Sequence, residues 1–270
     1  MEHEGLREVE IVRVNTTEKT ATQKKDNIAK EAPLHVFLDE THYVTILCSP
    51  NMLKEMALGH LFSEGVLHSL DDVKEVGLEN DGRCMIRLER GVDIEKRISL
   101  SQPFARLIVT ACGSAENWPL SKLIDRIKPV KIENRSVVKA GTILECVRRL
   151  GDLSTVFRKT GGVHVASLNT WDGKLVAFAE DVGRHNAVDK VIGVGVLGGV
   201  DFKELFLAVS GRLSGDIVLK AGRMRISLVA SQAAALDSGI EVAERLGICL
   251  LGFVRGNRMN VYVGSDCVVL

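Results

Sequence analysis

From Thr155 to the C-terminus, short apolar runs alternate with amphipathic stretches. The runs "KLVAFAE" (174–180), "LFLAVS" (205–210), "ISLVAS" (226–231) and "ICLLGFV" (248–254) are almost continuously apolar, as strands covered on both faces are. Between them, "RHNAVDKVIGVGVL" (184–197), "GDIVLKAGRM" (215–224) and "GIEVAERLG" (239–247) carry apolar residues at helical spacing. The alternation predicts a mainly parallel α/β sheet with helices on both faces.

The N-terminal half is less regular. "PLHVFLDETHYVTILCSP" (33–50) reads as two strands joined by a tight turn at Asp39-Glu40-Thr41. A helix follows, with Ser49 before Pro50 as its N-cap, Met52, Leu53, Met56, Ala57, His60 and Leu61 at helical spacing, and Gly65 as its stop. His60 and the methionines of this helix read as core packing. A hairpin turns at Asn80-Asp81-Gly82, "FARLIVTAC" (104–112) is a strand, and "PLSKLIDRI" (119–127) and "SVVKAGTILECVRRL" (136–150) are helical. Before all of these, "VEIVRV" alternates briefly, and the polar "NTTEKTATQKKDN" (15–27) reads as a loop. The expected organisation is a flexible segment over 1–30, an α+β part over 31–154 and an α/β ligand-binding part over 155–270.

Composition narrows the function. Lys plus Arg and Asp plus Glu number 35 each, so no global field recruits nucleic acid or an anionic membrane. The charged start has no apolar signal region, and no run reaches the ~18 residues of a membrane span; a soluble cytoplasmic protein is expected. The six cysteines include no CxxC pair and no zinc spacing, which predicts reduced thiols and no zinc.

Five places carry candidate chemistry. Cys112 ends its strand and enters "GSAENWP", where a thiol can meet solvent and a substrate, and the segment's composition suits mobility. Four polar clusters flank the C-terminal strands: "KTGGVH" (159–164), "EDVGRHNAVDK" (180–190), "SGRLSGD" (210–216) and "FVRGNRMN" (253–260). Glycine lets a backbone approach a ligand, helix N-termini favour anions and arginine grips phosphate in a fork, so together the clusters suit an extended phosphate-bearing ligand. His185 stands four residues from both Asp181 and Asp189, where either carboxylate can hold its imidazole for acid–base work or in a buried structural network. Asp216 and Lys220, also four apart, read as a solvated or site-edge pair.

The stretches "EAPLHVFLDETHYVTILCSPNMLKEMALGHLFSEGVL", "TGGVHVASL", "EDVGRHNAVDKVIG", "SGRLSGDIVLKA" and "LLGFVRGNRMNVY" together resemble the formate dehydrogenase accessory sulfurtransferases of the FdhD/NarQ family, in order over Glu31 to Val263. The resemblance implies a three-layer, cytidine-deaminase-like α/β core with a smaller N-terminal α+β portion. It further implies a cytoplasmic homodimer that takes persulfide sulfur from a cysteine desulfurase. The sulfur passes to the bis-molybdopterin guanine dinucleotide cofactor, with molybdenum or tungsten, of apo formate dehydrogenase.

By the same resemblance Cys112 is the persulfide carrier, and Phe253, Val254, Arg255, Gly256, Asn257 and Arg258 contact the cofactor. Gly161, Gly162, His164, Asp181, Gly183, Arg184, His185, Asn186, Ser210, Gly211 and Arg212 belong near the same site. One departure stands out: the family commonly has Cys-Gly-x-Cys-Gly, whereas this chain reads Cys112-Gly113-Ser114-Ala115-Glu116. One thiolate suffices to carry sulfur, but a two-cysteine relay is excluded within this motif. The alternative is a non-catalytic chaperone that binds the molybdenum cofactor. Zinc deamination is rejected because the Pro-Cys-x-x-Cys that would hold the metal is missing from the sequence.

Overall fold

The computed structural model describes residues 5–98 and 136–270. Cys112, with the strand expected at 104–112 and the helix at 119–127, lies outside the described residues.

The segment read as a loop is instead a ribbon. β1 (Leu6–Asn15) and β2 (Thr20–Ala29) pair antiparallel from Leu6↔Ala29 to Asn15↔Thr20. The Asn15 side chain accepts from the backbone N–H of Thr17 and Glu18 and closes the turn. Most of β2 is exposed on both faces, so it has no apolar alternation by which a sequence would betray a strand.

Four strands follow: β3 (Ala32–Leu38), β4 (Thr41–Cys48), β5 (Val73–Leu78) and β6 (Arg83–Leu88), in the order β4-β3-β6-β5. Their tight turns fall at the expected places, with Gly82 at φ 82° beside Asp81. α1 (Leu53–Ser63) does not begin as read. Its N-cap is Met52, left-handed at φ 53° and without a side-chain cap, while the Ser49 hydroxyl accepts from the Val182 N–H far along the chain.

The second half begins with β7 (Val138–Lys139), α2 (Ala140–Leu153) and α3 (Thr155–Thr160). The alternating part comprises β8 (His164–Thr170), β9 (Leu175–Asp181), α4 (Arg184–Leu197), β10 (Leu205–Val209), α5 (Gly215–Arg223), β11 (Leu228–Ser231), α6 (Asp237–Leu246), β12 (Cys249–Arg255), β13 (Arg258–Val263) and β14 (Val268–Val269). Six of these strands form one sheet in the order β13-β12-β11-β10-β8-β9. Its parallel part is the centre, β10-β11-β12, and antiparallel strands flank it on both sides.

The sheet separates two apolar layers. Leu205, Leu207 and Val209 pack with Ala187 and Val191 of α4, Ile217 of α5 and Val242 of α6. The alternate residues Phe206 and Ala208 pack with Ile143, Val147 and Leu150 of α2. This is a three-layer α/β core. The β3–β6 sheet and α1 form the smaller α+β portion; α1 lies against both this sheet and α4, and Leu34, Val36, Ile86, Leu58 and Leu61 belong to the same apolar cluster as Ala187 and Val191 of α4. α1 and α4 approach until their backbones touch: a Cβ on Gly59 would lie 1.7 Å from the Asp189 carbonyl oxygen, and one on Gly193 would lie 1.9 Å from that of Glu55.

Candidate functional site at one edge of the six-stranded sheet

The strand directions bring the candidate clusters to a single edge. β10, β11 and β12 end there. Because their neighbours run the other way, β8 begins there with His164, β9 ends there with Asp181 and β13 begins there with Arg258. Four strand spacings, about 20 Å in all, separate β9 from β12 along this edge.

At the β9 end the turn into α4 is held from beneath. Asp181 is fully buried and accepts from Ser49 N (2.9 Å), Gly183 N (2.8 Å) and Asn186 Nδ2 (2.9 Å), while Lys190 Nζ stands 2.6 Å away. Lys190 is equally buried and also donates to the Ser49 carbonyl and to Asn51 Oδ1. Asn186 donates to the Leu47 carbonyl as well. Asp181 and Asn186 therefore have internal partners, and their work is to fix the backbone at Gly183.

That turn delivers Arg184 to the edge. Gly211 lies against it so closely that a Cβ there would sit 2.9 Å from Arg184 Cβ and 3.5 Å from His164 Nδ1. The Ser210 hydroxyl accepts from Val165 N at 2.9 Å and stands 3.4 Å from His164 Nδ1. Burial, and then the charge of Arg212, push the Arg184 guanidinium below its ordinary pKa. The Arg184 Nε is buried with no partner among the described residues. His164 is likewise pushed down, first by burial and then by Arg184 and Arg212. Two arginines and a histidine whose charged form is disfavoured thus share one corner.

His185 does not meet Asp181 or Asp189, as its spacing allowed. Its Nε2 faces Asp216 Oδ2 across 3.8 Å and has no hydrogen bond. Burial, with Arg184 and Lys220 nearby, lowers its pKa to about 4, while burial raises that of Asp216. Nor is Lys220 solvated: it is buried and bonds Glu64 (2.7 Å), Asp189 (2.9 Å) and Ser63 (2.8 Å). His60 Nδ1 bonds Asp189 and Arg223 bonds Glu64, so His60 belongs to this ionic cluster rather than to simple core packing. Burial alone would raise the Glu64 carboxyl, but Lys220, His60 and Arg223 bring it down to about 2.

At the far end, Phe253 to Arg258 form the β12–β13 hairpin. Phe253 adopts φ 51°, the Arg255 guanidinium lies 5.1 Å from its ring centre, and Gly256 turns at φ 59° beside Asn257. Val254 is buried, whereas Arg255, Gly256, Asn257 and Arg258 are exposed. Gly161 caps α3 at φ 63°, and Gly162 lies against Ala29 of β2. The structure therefore groups His164, Arg184, Ser210, Gly211 and Arg212 closely and His185 just behind them, and it sets the hairpin further along the edge.

A profile of the FdhD/NarQ family matches residues 29–269. The chain belongs to the FdhD/NarQ family. A relative in Shouchella clausii, named sulfur carrier protein FdhD, is 35% identical over 91% of each chain. One of the same name in Sulfolobus acidocaldarius is 34% identical over 98% of this chain and 99% of its own. A crystal structure from Desulfotalea psychrophila, described as a formate dehydrogenase accessory protein, superposes with a TM-score of 0.76 over 98% of this chain and 99% of that one, at 23% identity.

In this FdhD/NarQ chain the sequence reading missed Ser49, Asn51, Glu64, Lys190 and Lys220 as parts of the scaffold behind the site. A lysine reads as surface, and its buried partners come from distant segments. The described cysteines, Cys48, Cys84, Cys146, Cys249 and Cys267, are all buried. Burial pushes the Cys48 and Cys84 thiols up to about 11 and also raises Cys146.

Proposed function

We propose that this protein is a sulfur carrier for formate dehydrogenase maturation, with Cys112 as the carrier. The Cys112 thiolate attacks the terminal sulfur of a persulfide on a cysteine desulfurase. A new S–S bond forms on Cys112, and the desulfurase cysteine leaves as its thiolate. The Sγ–S bond of Cys112 then breaks with Cys112 leaving as its thiolate, and the terminal sulfur, reduced to sulfide by two electrons from the reduced metal centre of the substrate, passes to the bis-molybdopterin guanine dinucleotide cofactor docked along the sheet edge. The observation that carries this reading is the edge itself, where Arg184, its buried Nε without a partner among the described residues, and a hairpin bearing Phe253, Arg255 and Arg258 lie along one side of the sheet. The names of the relatives agree with it. So does the burial of the other five cysteines, which are poor nucleophiles in such surroundings.

Ala115 in place of a second motif cysteine favours the other reading, a chaperone that binds the cofactor without carrying sulfur. Intact-mass spectrometry after incubation with a cysteine desulfurase and cysteine separates the two. A sulfur adduct on the wild type that Cys112→Ala lacks is expected. No adduct, under conditions that load a two-cysteine relative, leaves the chaperone.

A further inference from the structure

We propose that His35 and His42, with the Thr45 hydroxyl between them, form a binding site for a divalent transition metal ion of the copper and nickel kind on the outer face of the β3–β6 sheet. The site involves neither Cys112 nor the sheet edge at which the cofactor is proposed to dock.

The fold gathers these side chains by an irregularity in the pairing of β3 and β4. Leu34, Val36 and Leu38 are buried, so the alternate residues His35 and Phe37 point away from the core. His42 and Thr45 are three residues apart, and in a regular strand they would fall on opposite faces. The register instead passes over Tyr43, which sets His35 opposite Thr45 and Phe37 opposite His42. All four therefore share the outer face, while Tyr43 and Val44 both pack against the core. Bulges of this kind re-aim side chains and recur beside functional sites.

The donor atoms already have the spacing of a coordination shell. His35 Nδ1 and His42 Nε2 each stand 2.9 Å from Thr45 Oγ1. Ligands at right angles about an ion, each roughly 2.0–2.1 Å from it, lie roughly 2.9 Å from one another. Among the described residues no third histidine, cysteine or carboxylate joins the pair, so water fills the remaining positions. Two imidazoles with oxygens around them are the tetragonal set that copper(II) and nickel(II) prefer, rather than a closed tetrahedral zinc site.

The rings are also held for the task. Without metal, the hydroxyl donates to one neutral imidazole and accepts from the other. To take an ion, each ring carries its one proton on its other nitrogen, so both inner lone pairs are available and no proton leaves the protein. The Phe37 ring stands edge-on to His42, with centres 5.2 Å apart, and limits the imidazole's rotation. Charge favours a cation as well. Arg83 on β6 pairs with His35 across the sheet, but Asp81 at 2.7 Å and Glu79 at 2.8 Å hold its guanidinium. One positive charge is thus set against two negative ones beside the site.

The test is calorimetric titration of the full chain with Ni²⁺, in a His3→Gln background so that the histidine at position 3 does not compete. His35→Gln, His42→Gln, their double variant, Thr45→Val and Thr45→Ser are compared with this background, and His68→Gln, at another exposed histidine, is the control. Each histidine variant should weaken binding by at least about tenfold and Thr45→Val by about tenfold, with metal-free melting temperatures unchanged. Thr45→Ser and the control should bind as the background does. Electron paramagnetic resonance with Cu²⁺, with Cys112→Ala added so that this thiol does not reduce the ion, should show coupling to two nitrogens, and to one in either histidine variant. Absence of Ni²⁺ binding by the background, or equal binding by the double variant, overturns the proposal. Persulfide loading of Cys112 is read by mass and uses none of these residues, so this assignment and the sulfur-carrier reading fail independently.

Discussion

Lys190 and Asp181 form an ion pair at 2.6 Å with neither side chain exposed to solvent, directly beneath the turn that carries Arg184. The pair also fixes Ser49, which follows β4, so it ties the small α+β portion to the start of α4.

Replacing Lys190 with Met should therefore cost about 3 to 5 kcal/mol, because it leaves the Asp181 charge buried without its partner. Urea unfolding of Lys190→Met against wild type measures this. A loss below about 1 kcal/mol would show that the Asp181 carboxylate is satisfied by its N–H donors alone.

Gly59→Ala should be as damaging, although it adds only one methyl. The new Cβ would meet the carbonyl of Asp189, which is backbone and has no rotamer to change, so α1 must move off α4. A loss of about 3 kcal/mol or more is expected in the same unfolding assay, whereas Gly151→Ala on α2, where a Cβ meets nothing within 4 Å, should be neutral or mildly stabilising.

Acid should weaken the fold in two stages. In the folded protein His185 titrates only at about 4, whereas an unfolded histidine titrates near pH 6.5, so the unfolded chain binds more protons in between and stability falls as the pH drops through that range. Glu64, held at about 2, and Asp189, also lowered, extend the loss from the ordinary carboxylate range near pH 4 downwards. Urea midpoints at pH 7, 5 and 3 should decline at each step. In His185→Gln the first step should shrink, because His164 is then the one lowered imidazole left among the described residues. A flat midpoint between pH 7 and 5 would show that His185 and His164 take up protons in the native state as readily as in the unfolded chain.

Thiol alkylation should divide the cysteines. At neutral pH, iodoacetamide is expected to leave Cys48 and Cys84 unmodified in the native protein and to label both after denaturation. The sulfur-carrier reading adds one native adduct, on Cys112, which peptide mapping would locate.

How much of this was legible in the sequence depended on where each residue's partners lie. α4 runs from Arg184 to Leu197 as its pattern predicted, because its apolar residues are buried against both the sheet and α1 and the preceding glycine marks its start. The "SGRLSGD" and "EDVGRHN" clusters were visible as loops after apolar runs, and strand direction then placed them together. The parallel pattern extended only over β10 to β12, since a buried strand reads the same whichever way its neighbours run. Lys190 and Lys220 were not legible as buried. Lys190 meets Asn51 and Lys220 meets Ser63 and Glu64, across more than a hundred residues of chain. Spacing suggested Asp181 and Asp189 as partners of His185, but Lys190 and Lys220 claim those carboxylates and leave Asp216 to face the imidazole.

The β1–β2 ribbon behaves differently from the packed layers of the core. Val12 and Val14 are more than half exposed, and among the described residues no helix covers either face near the turn, so its ladder is protected mainly by its own neighbouring rungs. Its amide protons should exchange in a gradient, fastest at Thr16 to Lys19 and slowest near Lys30, whose N–H bonds the Gly5 carbonyl. The same gradient makes the turn the natural place to attach a fluorophore or an affinity tag, since local opening there leaves the packed layers undisturbed.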